Sequence, residues 1–323
     1  MIAGVTHLTM ESPLEPGIAL GTALGFELDF VDRVELPAAF EAVEDEDHIL
    51  PLALLAAPSG IRLEVVDHGR TSGRRGAYEA IFRGRPPAGP PVAGREALRE
   101  VLRRAGALAD PVCRAVAGPA GTAWFESGPD AESGSGSESG SESGSDAASG
   151  TAAGGLAGLL CRVADVRAEA DFWSAFAKAR WGSVQRDAAW CTLSSPLFPA
   201  ACRLLLVPGD GTRPAHAMND LGFPSIGVAS TSIEADCARA VAAGATLRAE
   251  AVVTSVGGRP LRMALIETPG GAPVELLSVH RLRAPGSSPV ASASRGPRHP
   301  RPGGASPSSA PIDAGAQPDD IQA

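Results

Sequence analysis

Lysine is almost missing from this chain: Lys178 is the only one, and arginine carries nearly all of the positive charge. The 28 basic residues face 37 acidic ones, leaving a net charge of −9. Without a basic stripe there is little to neutralise phosphates, so no nucleic-acid partner is expected. There is no run of 18 or more apolar residues, which excludes a helical membrane span. The opening MIAGVTHLTM has no basic segment followed by an apolar run, so no signal peptide is read there and a cytoplasmic protein is expected. The five cysteines, Cys113, Cys161, Cys191, Cys202 and Cys237, are odd in number, widely spaced and without a CxxC pair. That argues against both a disulfide framework and a zinc ribbon and predicts buried free thiols. No G-x-S-x-G elbow and no phosphate loop occur. The Gly/Arg-rich stretch 69–76 lacks the Gly-Lys-Ser/Thr ending and reads as a connector.

What is present divides cleanly. Residues 131–154, AESGSGSESGSESGSDAASGTAAG, have no aromatic or branched apolar side chain and four acidic residues without a base. They cannot bury enough surface to offset the cost of ordering and read as a disordered acidic linker. Residues 284–323 are rich in Pro, Ser, Gly and Ala and read as a disordered tail. Two blocks remain, 1–130 and 155–283, each expected to be a domain.

Each block reads twice as strand, helix, then strands. In the first, Val5–Met10 is a strand, Ser12-Pro13-Leu14-Glu15 looks like a capping box opening a helix that stops at Gly25, and Phe26–Val34, His48–Ala56 and Ile61–Val66 are strands. Tyr78–Arg83 opens a second unit, whose helix Arg95–Ala105 puts Leu98, Val101 and Leu102 on one face. Pro111–Ala117 and Thr122–Glu126 follow, and a last strand is missing where the linker begins. The second block gives Leu159–Val163, a helix Val166–Ala179, then Ala189–Ser194 and Ala201–Val207. Its last unit has Ser225–Ala229, a helix with a Thr231…Glu234 capping box ending at Gly244, and three closing strands. The fold class is therefore α+β, with four βαβββ units written along the chain.

The segments GVTHLTM, ALGFELDF, IRLEVVD and AGATLRAEAVVTSVGGRPLRMALIETPGGAPVELLSV resemble the glyoxalase/bleomycin-resistance/dioxygenase (vicinal oxygen chelate, VOC) superfamily. The resemblance implies two tandem VOC domains with curved mixed sheets. It also implies that paired units surround a cleft, with divalent-metal ligands on the first and fourth strands of each unit. Carried over by position, those places fall at His7 and Glu64 in unit one, near Tyr78 in unit two, at Gly158 and Leu205 in unit three, and at Ser225 and Glu275 in unit four. Pairing of neighbouring units, the usual arrangement, leaves each half with an incomplete ligand set. Two or three ligands are too few for a tight metal site unless another group contributes, and the best route to a complete one is pairing of unit one with unit four, which would gather His7, Glu64 and Glu275.

The resemblance implies a small oxygenated or aromatic metabolite as partner. Two functional readings stay open: a metal-dependent lyase, isomerase or dioxygenase, and a metal-free sequestering protein of the bleomycin-resistance kind. The expectation leans to a protein without the complete metal site. His7, Glu64 and Tyr78 are the catalytic candidates, and Trp190 is a candidate cleft wall for a ligand. Phe172, Trp173, Phe176 and Trp181 read as helix core, and the acidic run Glu44–His48 as a solvated loop.

Overall fold

The computed structural model describes residues 2–36, 49–57, 60–83, 95–104, 111–115, 122–126, 155–184, 188–195, 198–209 and 216–278. The linker 131–154, the tail 284–323 and the run Glu44–His48 lie outside the described residues. Unit one comprises β1 (Ile2–Glu11), α1 (Leu14–Ala23), β2 (Glu27–Glu35), β3 (Ile49–Ala56) and β4 (Arg62–Val66). Unit two comprises β5 (Tyr78–Arg83), α2 (Glu96–Arg104), β6 (Pro111–Ala115) and β7 (Thr122–Glu126). Unit three comprises β8 (Gly155–Val163), α3 (Val166–Ala177), β9 (Arg180–Val184), β10 (Ala189–Ser195) and β11 (Phe198–Pro208). Unit four comprises β12 (Ile226–Ser230), α4 (Ile233–Ala242), β13 (Thr246–Val256), β14 (Arg259–Glu267) and β15 (Pro273–Ser278).

The helix starts differ from their sequence patterns. Pro13 is the residue before α1, and the Ser12 hydroxyl donates to Pro13 O instead of accepting from the helix. Ser232, not Thr231, precedes α4 and makes no side-chain cap. The one cap of the expected chemistry is Asp165, whose carboxylate accepts from Arg167 N and Ala168 N. The strand β9 follows α3 where a longer helix was expected. Its Trp181 turns back onto that helix, donating from Nε1 to Ala170 O.

Two sheets result. The first runs β13-β14-β15-β12-β1-β4-β3-β2 and the second β6-β7-β5-β8-β11-β10-β9. Units one and four thus share one sheet through the antiparallel pair β1/β12, and units two and three share the other through β5/β8. This corrects the expectation that neighbouring units pair within each half. The connectors hold the nested arrangement: Gly76 N and Tyr78 N donate to Leu221 O and Phe223 O, and Glu11 N donates to Gly222 O. A side chain at Gly76 would meet the backbone of Phe223. Residues 1–282 accordingly form one compact unit.

Unit two departs from the expected plan in a further way. Its strand β7 runs parallel to β5, the relation β4 has to β1, so it fills the fourth-strand place. The place with no strand among the described residues is the second, directly after the helix. The helix of that unit moves accordingly: Leu98 and Leu102 of α2 pack with Ile81, Trp124, Leu160 and Leu205.

The first sheet curls until its two outer strands meet. The Thr254 hydroxyl donates to Glu35 O at 2.8 Å, and Gly257 N donates to the Asp32 carboxylate at 2.7 Å. These two side-chain-to-backbone bonds tie the edges together and make the concave face the inside of a cup.

Candidate metal centre

Side chains alternate along a strand, so His7, Thr9 and Glu11 of β1 share one face. Strand β4 lies parallel beside it with Thr9 opposite Glu64. On the other side β12 is antiparallel, with His7 opposite Gly227, and β15 pairs with β12 so that Gly227 faces Glu275. The registers are related by the same offset in both units, which makes Ser225 the counterpart of His7 and Glu275 the counterpart of Glu64. Four units' worth of chain are needed to build this group because its two halves lie at opposite ends of the sequence.

His7 Nε2 lies 3.3 Å from Glu64 Oε2 and 3.6 Å from Glu275 Oε2. One ligand atom from each of the three residues falls within 4.8 Å of the others. Two atoms each about 2.0–2.2 Å from a shared ion stand roughly 3–4 Å apart, so the spacing suits a divalent cation. Nε2 is buried without a hydrogen-bond partner, while the Thr6 hydroxyl sits 3.2 Å from Nδ1 and orients the ring. Gly227 makes room for that ring: a Cβ there would stand 2.1 Å from His7 Cε1. Glu275 is fixed from behind, its Oε1 accepting from Ser225 at 2.5 Å and lying 3.0 Å from the Thr9 hydroxyl. Thr9 also reaches Glu64 Oε2 at 3.2 Å, and its single proton serves one carboxylate at a time. One imidazole and two carboxylates form a donor set for a borderline or hard divalent ion, so these residues fit a metal.

Burial alone would push the His7 imidazole down. The charge of Glu64 and the attraction of both carboxylates outweigh it and raise its pKa to about 10. Glu275 is held below the usual carboxylate range: burial opposes this, but His7, Ser225 and Thr9 prevail.

The group opens onto a cavity of about 550 Å³, its mouth included. The walls are apolar, among them Leu36, Leu50, Leu52, Met218 and Met263, and the polar residues lining it are His7, Thr9, Glu64, His68 and Glu275. Tyr78 and Trp190 are not among the lining residues. The Tyr78 hydroxyl donates to Pro273 O at 3.2 Å between the sheets, and burial raises its pKa well above normal. Trp190 packs at the margin of the second sheet's apolar cluster. Thr9, Glu11, Gly227 and His68 are the residues that sequence reasoning did not assign to the site, while Ser225 falls at the first-strand place the resemblance gives it. The alternation of His7-x-Thr9-x-Glu11 and Glu64-x-Val66-x-His68 was the signal for most of them.

The second sheet has the corresponding face, and it is filled. Register places Glu79, Trp124, Gly158 and Leu205 at the four equivalent positions, which moves the unit-two place from near Tyr78 to Glu79. Glu79 is committed to Arg95 at 3.0 Å, Arg162 at 3.1 Å and Trp124 Nε1 at 2.7 Å. Helix α2 covers the rest of the face with Leu98 and Leu102. All five cysteines are buried and free. Burial pushes their thiols up, to about 11 at Cys113 and about 12 at Cys191 and Cys202, which leaves them inert.

No protein-family model matches the chain, and no curated protein matches its sequence. Among solved structures, glyoxalase I from Zea mays aligns with 12% identity and a TM-score of 0.49, over 85% of this chain and 92% of that one. A glyoxalase-related enzyme from Fulvimarina pelagi aligns at 13% identity and 0.30, over 38% of this chain and 87% of that one. A glyoxalase/bleomycin resistance protein from Albidiferax ferrireducens aligns at 20% identity and 0.29, over 37% and 94%. In each complete unit of this chain the strand order is first-fourth-third-second, and units pair across antiparallel first strands. That order and pairing are those of paired βαβββ units in two curved mixed sheets, the α+β architecture the sequence predicts.

Proposed function

We propose that this protein is a metal-dependent enzyme of the vicinal oxygen chelate kind, holding one divalent cation through His7, Glu64 and Glu275. Its substrate is a small oxygenated molecule with an apolar body. The observation that supports this most is the meeting of three ligand atoms, a buried imidazole nitrogen and two carboxylate oxygens, at a cavity with apolar walls. The leaning towards a metal-free protein rested on an incomplete ligand count, and the gathering of three ligand residues favours the metal-holding reading instead.

An ion held there supplies Lewis-acid polarisation of a substrate oxygen. The chain's own residues do the rest. Thr6 sets the His7 ring so that Nε2 faces the cavity. Thr9 and Ser225 hold Glu275 in one rotamer, and the leucine and methionine walls keep water from the bound molecule. A second reading has one observation in its favour: without metal, His7 is an imidazolium between two carboxylates, a self-satisfied group such as a sequestering protein could keep.

Elemental analysis separates the two. Protein from metal-supplemented growth should carry about one divalent ion per chain, and His7→Ala, Glu64→Gln and Glu275→Gln should each lose it, since each removes a third of the ligand set. Wild-type protein that stays metal-free and takes up no added Mn²⁺, Ni²⁺ or Zn²⁺ leaves the sequestering reading.

A further inference from the structure

His68, which lines the same cavity, forms a second polar pair with the buried Glu11. They lie four residues further along the two strands that carry the metal-centre residues. Glu11 follows His7 and Thr9 on the same face of β1, and His68 follows Glu64 and Val66 just past the end of β4. Four residues of extended chain span about 13 Å, so this pair stands at a different level of the cavity from Glu64. His68 Nδ1 is 2.5 Å from Glu11 Oε2, and the His68 backbone N–H reaches Glu11 Oε1 at 3.4 Å. The carboxylate thereby fixes the ring and claims the Nδ1 proton. The other nitrogen, Nε2, is buried without a hydrogen-bond partner, and His68 lines the cavity.

We infer that Glu11 and His68 are a proton-accepting pair for the bound molecule, with His68 Nε2 meeting a phenol- or enol-type hydroxyl and Glu11 acting as its positioning residue. The inference rests on the reading of the cavity as a small-molecule site. The hydroxyl proton passes to Nε2, the O–H electron pair stays on the ligand as an oxyanion, and the imidazolium is held against the Glu11 carboxylate. The reverse transfer restores both partners. Pairing with the buried Glu11 uses only the Nδ1 side of the ring and leaves Nε2 without a hydrogen bond in a residue that lines the cavity. The other charged groups that bear on the pair are Asp67, beside Glu11, and the cavity's own His7, Glu64 and Glu275. Burial holds the Glu11 carboxyl above the usual carboxylate range, and the His68 contact offsets only part of that. The substrate class that follows has oxygen donors at one level of an apolar body and an acidic hydroxyl at another.

The test uses full-length protein stripped of metal by chelator, so that any ionisation of a ligand is not the work of a metal. Long-range ¹H–¹⁵N spectra report the His68 tautomer, and 4-nitrophenol reports proton transfer through its absorbance. The expected result is the Nδ1–H tautomer, a His68 resonance that moves on addition of 4-nitrophenol, and a bound phenol about tenfold more acidic than the free one, a shift of one pKa unit. His68→Gln, which keeps the shape but cannot take the proton, should abolish the acidity shift, and Glu11→Gln should reduce it. An Nε2–H tautomer, a His68 resonance unmoved by saturating 4-nitrophenol, or an acidity shift that survives in His68→Gln overturns the inference. The metal content of the wild-type protein before chelation keeps the two readings apart. Protein that holds its ion but leaves His68 unmoved loses only this inference, and protein that moves His68 but holds no ion loses only the metal reading.

Discussion

His7 is the residue on which the site's pH behaviour turns. In an unfolded chain its imidazole titrates near 6.5, and in the metal-free fold near 10. The folded value is the higher one, so protonated His7 stabilises the fold. That contribution is complete below about pH 6.5 and disappears as the pH climbs towards 10. Glu275 works in the opposite sense: its folded value is depressed, so its contribution is present above about 4.5 and lost on further acidification. In chelator, the melting temperature should therefore fall between pH 6 and pH 10, and His7→Gln should flatten that slope. Parallel slopes in the two proteins would mean that His7 is not the titrating group. His7, Glu64 and Glu275 were legible in the sequence because the superfamily resemblance fixes their positions. Thr9 and Gly227 were not, because a hydroxyl or a missing side chain has no meaning until register sets it against His7 or Glu275.

Among the elements, α2 shows how far pattern reading goes. Its apolar face, Leu98 and Leu102, and its extent to within a residue at each end were readable from periodicity. What that face covers was not. The helix lies on the face that in the first sheet forms the open cavity, and Leu102 is 1% exposed among Ile81, Cys113 and Trp124. Leu102→Ala should cost about 2–5 kcal/mol in denaturant unfolding, the range for emptying a well-packed leucine site, with metal content at the first sheet unchanged. A loss under 1 kcal/mol would show that α2 is only loosely seated. The same element explains the misread strand count. With the second strand of the unit not among the described residues, β6 and β7 were taken for the second and third, whereas their pairing makes them the third and fourth.

At the scale of the molecule, the four-unit plan was legible and the pairing was not. Hydrophobic alternation and glycine stops write the units into the sequence, but which first strands meet depends on contacts hundreds of residues apart. His7 against Gly227 and Gly76 against Phe223 are two of them. The two halves of the chain are consequently interleaved. A protease site engineered between residues 126 and 155 should, once cut, leave both pieces in one particle on gel filtration, because β1 is bonded to β12 and β5 to β8 across the cut. Two separate half-mass particles would show that each half closes on itself.

The nesting also sets an order on the ribosome. Units two and three emerge consecutively and can complete their sheet while the rest is still being made. Strand β1 leaves the ribosome first but waits for β12, more than 200 residues later. At about 5–20 residues per second that delay is on the order of ten to forty seconds. Throughout it, His7 and Glu64 lack Glu275 and β1 carries a bare edge. The three residues of the proposed metal centre can thus meet only after unit four has emerged.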